Sequence, residues 1–173
     1  YSAGILAYGG TINVNDSLTC YVGIGGSTAQ TLSSTAISTE GGNIVFNVGT
    51  DADGITIDTY GLGITSRQGT GTGNSSSITL ASGELNINSH YGTAIYMSGG
   101  TLSTAAGTTV VNITSAIDES KKWVPPPGST GTSVGEIYNG VYIQGGTLTA
   151  NGTFNVSTII IRMVQLHTPM TTV

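Results

Sequence analysis

Charge is what this 173-residue chain most lacks: Lys and Arg number four and Asp and Glu nine, so 8% of it is charged, against about a quarter in an ordinary soluble domain. With four basic side chains and a formal net charge of -5, there is no electrostatic footprint for nucleic acid or for an anionic membrane surface. Lys, Arg, Glu and Gln together make only 12 positions, and these are the residues that solvate helix surfaces, so a helix bundle is excluded. Cys20 is the single cysteine, so no intrachain disulfide staples the fold. No stretch approaches the roughly 18 apolar residues of a spanning helix, and no membrane insertion by this segment is expected. The first residues, Tyr1-Ser2-Ala3-Gly4, carry neither an initiator Met nor a basic-then-apolar signal, and read as a mature product or an excised piece.

What is present is Gly at 27 positions, Thr at 28, Ser at 19 and Asn at 11, beside 30 Ile and Val. The chain therefore has apolar material for a core, unlike a charge-rich disordered segment. Its apolar residues alternate with polar ones: Ile12 and Val14; Ile44, Phe46 and Val48; Ile55 and Ile57; Leu85 and Ile87; Val111 and Ile113; Phe154 and Val156. Period two predicts strands with one apolar face and one uncharged face of Asn and Thr. Gly-Gly, Asn-Gly and Asp-Gly steps between the segments supply the corners.

A unit recurs. Ala94-Ile95-Tyr96-Met97-Ser98-Gly99-Gly100-Thr101-Leu102 matches Gly140-Val141-Tyr142-Ile143-Gln144-Gly145-Gly146-Thr147-Leu148, with weaker copies at Gly4 to Ile12, Ala36 to Ile44 and Ile78 to Leu85. The common form is a small residue, Ile or Val, three variable positions, Gly-Gly, Thr and an aliphatic. The second glycines, Gly10, Gly42, Gly83, Gly100 and Gly146, are spaced by 32, 41, 17 and 46, which fits one or two turns of roughly 16 to 23 residues between copies. A sandwich or barrel needs no such repeat, whereas stacked turns place like residues in ladders. An all-β parallel β-solenoid with irregular coils is therefore expected over residues 1–157. One turn alone cannot bury its inward side chains, so the turns must cooperate.

The units Gly99 to Thr108 and Gly145 to Val156 resemble the repeats in passenger domains of bacterial autotransporters and related surface adhesins, and the likeness covers most of residues 4–157. The resemblance implies a right-handed single-stranded parallel β-helix, secreted or displayed on a bacterial cell surface, with binding or adhesion as its role.

Two stretches depart from the pattern. Residues 118–135 hold Trp123, Lys121, Lys122 and the run Pro125-Pro126-Pro127, and are expected to form a protruding, extended Pro-rich loop that joins no ladder. Residues 158–173 lack glycine and alternation; they read as a cap, a last strand or a segment foreign to the native protein. A solenoid without caps exposes strand edges, so end-to-end self-association, and with it a filament subunit, enters as an expectation.

Candidate chemistry is sparse. Asp51, Asp53 and Asp58 are the one acidic cluster. Asp51-Ala52-Asp53-Gly54 offers a weak Ca²⁺ site, since Ile55 and Ile57 occupy the next alternating positions and no closing Glu follows. With Arg67, the three acids would be the machinery of a polysaccharide lyase or hydrolase. His90 and His167 have no second ligand at metal spacing, and Cys20 reads as a buried thiol, so no metal, cofactor or nucleophile is expected. Tyr96 and Tyr142 hold the same outward position in the two best copies and, with Trp123, form the preferred contact surface for a host glycan or protein ligand. The competing reading is that such tyrosines merely stack turn upon turn. Taken together, the sequence points to a non-catalytic adhesive or structural β-helix, with a polysaccharide-active β-helix as the alternative.

Overall fold

The computed structural model describes residues 2–22, 34–48, 54–69, 75–90, 93–106, 109–118 and 140–161. These form twelve strands in one sheet: β1 (Ser2–Tyr8), β2 (Thr11–Val14), β3 (Leu18–Val22), β4 (Ser34–Glu40), β5 (Asn43–Asn47), β6 (Ile55–Thr59), β7 (Leu62–Arg67), β8 (Ser77–Ser89), β9 (Ile95–Thr104), β10 (Thr109–Asp118), β11 (Val141–Thr149) and β12 (Thr153–Ile161). Every pairing between them is parallel, so the protein is all-β with a parallel sheet. Among the described residues no helix is long and apolar enough to cross a membrane.

The strands fall into three series. The first is β1, β4, β7 and the opening halves of β9 and β11. The second is β2, β5, the first half of β8 and the later halves of β9 and β11. The third is β3, β6, the second half of β8, β10 and β12. The chain makes five passes through the three in turn, returning to the first series four times. Successive returns are unequal: Ile5 pairs with Ile37, Ile37 with Ile64, Ile64 with Ile95 and Ile95 with Val141. Each return is longer than the 16 to 23 residues expected, because it runs through strands of all three series and the segments that join them. Gly10, Gly42, Gly100 and Gly146 occupy one corner, as the repeat implies, but Gly83 sits beside Thr109 at the next corner. The Ile78 to Leu85 copy is therefore offset by one corner from the others.

The core follows from the alternation. Ile12, Ile44, Ile78, Leu102 and Leu148 form one column, and Cys20, Ile57, Ile87, Ile113 and Val156 another. Ile44, Phe46, Ile57, Ile64, Ile87, Ile95 and Met97 are fully buried, whereas Ile143 and Val156 of the last pass keep 43% and 50% of their surface. Burial is thus deepest where a neighbour lies on both sides.

The small residue that opens each unit has a steric cause. Gly4, Ala36, Gly63, Ala94 and Gly140 stand in one column, where the first series meets the third. A Cβ on Gly63 would lie 2.4 Å from the Ala94 carbonyl oxygen and 2.9 Å from Ile87 Cγ2, and one on Gly140 would lie 2.5 Å from Val156 Cγ1. The Gly-Gly pair solves two problems at once: Gly41 takes φ 67°, and a Cβ on Gly42 would meet the Ala7 carbonyl oxygen at 2.7 Å. One glycine turns the chain and the other lets the neighbouring backbone approach.

On the outside, Asn86, Asn112 and Asn155 stack in register. Asn112 Nδ2 donates to Asn86 Oδ1 at 2.9 Å and to Glu84 Oε1 at 2.8 Å, and Asn155 Nδ2 donates to Asn112 Oδ1 at 2.9 Å. Because Asn112 serves both neighbours, Asn112→Ala is expected to cost about 1–2 kcal/mol, read as a lower urea midpoint with an unchanged slope. A loss within about 0.3 kcal/mol would show that water replaces the ladder without cost.

β12 reaches Ile161, in register with Asp118 of β10, so the strand continues past residue 157 into the tail. Residues 119–139, with most of the Pro-rich stretch, and residues 162–173 lie outside the described residues.

Candidate functional site

Tyr96 and Tyr142 are cross-strand partners in the first series. Their rings stack with centroids 5.6 Å apart and planes 16° from parallel, and Tyr96 Oη donates to Gln144 Oε1 at 2.8 Å. The two tyrosines singled out in the sequence do come together, but each spends a ring face on the other. Each thus has one ring face committed, and Tyr96 its hydroxyl proton as well. Trp123, the third member of that surface, lies outside the described residues, as do Asp51 and Asp53 of the weak Ca²⁺ candidate.

Asp58 and Arg67 lie on different series. Arg67 ends β7 beside Glu40, roughly 16 Å along that strand from its first residue by the usual strand rise. Asp58 lies within β6, and its partner is His90: Nε2 and Oδ1 are 2.5 Å apart. The imidazole also stacks on Tyr60, with centroids 4.7 Å apart and planes at 24°. Sequence spacing leaves His90 without a partner, and the fold supplies one from 32 residues away.

The local sequence explains why these groups converge. Asp58 pairs in register with Asn88, so the residue two beyond Asn88 lies against the residue two beyond Asp58. Alternation turns Asp58, Tyr60, Asn88 and His90 outward while Ile57 and Ile87 turn into the core. The corner is held by His90 N–H donating to the Thr59 carbonyl at 2.8 Å. At 38% and 39% exposure, the His90–Asp58 contact adds no more than about 1 kcal/mol to stability. Its interest is chemical: a carboxylate held against an imidazole on an open face.

That face extends to both sides. Tyr21 is the register neighbour of Asp58 on β3 and is 66% exposed; Asn88, on β8, is exposed as well. Among the described residues no group of three or more metal-ligating side chains forms. Cys20 stands in the inward column, its Sγ 3.6 Å from the Ala36 carbonyl oxygen. Burial pushes its thiol pKa up, away from the thiolate that a nucleophile needs.

Compared with models of protein families, with curated proteins and with solved structures, the sequence matches none. Its function is read from its own surface.

Proposed function

We propose that the strands wind as a single-stranded parallel β-solenoid, right-handed like the autotransporter passengers that its repeats resemble. The protein would be a non-catalytic stalk, secreted or displayed on a bacterial cell surface, that contacts glycan or protein ligands. The pairing order supports the winding, since each pass lays its strands on those of the pass before. The observation that carries the role is the outer surface: stacked Tyr96 and Tyr142 and columns of Asn, Ser and Thr, with hardly a charge, on a frame of parallel rungs. Such a frame is stiff along its axis because every rung is hydrogen-bonded to the next.

Beads coated with the protein are expected to be retained saturably on surfaces bearing glycans or extracellular proteins, and Tyr142→Ser to reduce retention several-fold. Retention equal to that of uncoated beads would contradict the role. The polysaccharide-active reading draws on one observation, the Asp58–His90 contact, which sets a carboxylate beside a potential proton carrier. New chain ends released from a polysaccharide, and lost in Asp58→Asn, would decide for it.

A further inference from the structure

We infer that the outward face of the third series around β3, β6 and β8 (Tyr21, Asp58, Tyr60, Asn88 and His90) is a binding site for a neutral glycan. This deepens the glycan-contact reading above and rests on it, but places the contact on a different face from Tyr96 and Tyr142.

The first ground is the contrast between two adjacent outward columns. In the ladder of Asn86, Asn112 and Asn155, the amides satisfy one another along the stack. One alternate position further on, Asn88 lies in register between Asp58 and Thr114, and no hydrogen bond joins the three side chains among the described residues. The Asp58 carboxylate gives Oδ1 to His90, and its Oδ2 takes no hydrogen bond from the described residues. Among the described residues, a carboxamide and a carboxylate oxygen that no side chain satisfies thus stem from register positions on neighbouring strands, whose backbones lie about 4.8 Å apart. One offers donors and an acceptor and the other accepts only, which is the set that neighbouring sugar hydroxyls require.

The second ground is the aromatic flank. Tyr21 presents its ring on the far side of Asp58 with 66% of its surface open, and Tyr60 braces His90 and so fixes the imidazole. An open ring next to fixed polar groups suits the C–H face of a pyranose, with the hydroxyls directed at Asp58 and Asn88.

Charge and topology select the ligand class. Asp58 and Glu84 place carboxylates on this series and the chain has a net charge of -5, so an acidic polymer would meet repulsion. A peptide adding as a strand needs an open edge, and β6, which carries Asp58, offers none because it is paired with β3 and with β8.

The test is titration of the protein with short neutral gluco-, manno- and galacto-oligosaccharides and with an oligogalacturonate, followed by ¹H–¹⁵N NMR. At least one neutral series should shift the amides of Tyr21, Asp58, Asn88 and His90, and Tyr21→Ala and Asn88→Ala should each weaken its binding about tenfold. Both side chains are exposed, so unaltered spectra elsewhere verify folding. Absence of binding by any neutral series at millimolar concentration, or preference for the oligogalacturonate, would overturn the proposal. So would shifts centred on Tyr96 and Tyr142, although the adhesive role would then stand.

Discussion

Replacing Gly63 by alanine is expected to destabilise the protein by about 3 kcal/mol, the upper part of the range for forcing atoms into a packed interior. The added Cβ would sit 2.4 Å from the backbone oxygen of Ala94 and 2.9 Å from Ile87 Cγ2, and a backbone carbonyl held in the ladder cannot rotate away. Alanine also restricts the unfolded chain, which stabilises by about 0.4–1 kcal/mol, so the steric cost wins. Gly10→Ala is the matched control, because a Cβ there meets nothing within 4 Å; it should be neutral or slightly stabilising. Thermal melts of the two variants check the contrast, and equal midpoints would mean that the first and third series are not in close contact at Gly63.

Phe46→Ala should cost still more, about 4 kcal/mol, by removing a buried ring and leaving a cavity. Phe46 is 1% exposed and lies in a column between Val14 and Leu80, with neighbours on both sides. For a chain of this length the loss corresponds to a fall in Tm of roughly 8–16 °C. Phe154, paired with Val111 in the last pass and only half-buried, should cost markedly less on the same change. Equal costs would mean that both phenylalanines are buried alike, contrary to an outermost β12.

Much of this frame is legible in the sequence. The alternating positions Ile44, Phe46, Ile55, Ile57, Leu85, Ile87, Val111 and Ile113 are all buried, because period two is a local signal that strand geometry alone imposes. The small residue and the Gly-Gly step of the repeat are visible too, and the close approaches at Gly42 and Gly140 give their reason. Pairing across passes is not local. Asp58 finds His90 because 30 residues separate the register partners Asp58 and Asn88, a distance set by corner segments whose lengths follow no rule in the sequence. For the same reason Gly63 escapes the repeat: Gly61-Leu62-Gly63-Ile64 opens a strand with no Gly-Gly after it, although it holds the same place as Ala36 and Ala94. The tyrosine pair is legible both as a shared outward position and as a stack of turn upon turn, and the stack forms because the two strands are direct neighbours.

The frame itself is tested most directly by methyl NOE spectroscopy. Passes stacked in parallel predict contacts from Ile57 to Ile87 and from Ile87 to Ile113, and from Ile37 to Ile64 and from Ile64 to Ile95, chains of isoleucines that are remote in sequence. Strong Hα–Hα contacts between strands that follow one another, such as β2 with β3 or β5 with β6, would instead reveal antiparallel hairpins and contradict the account.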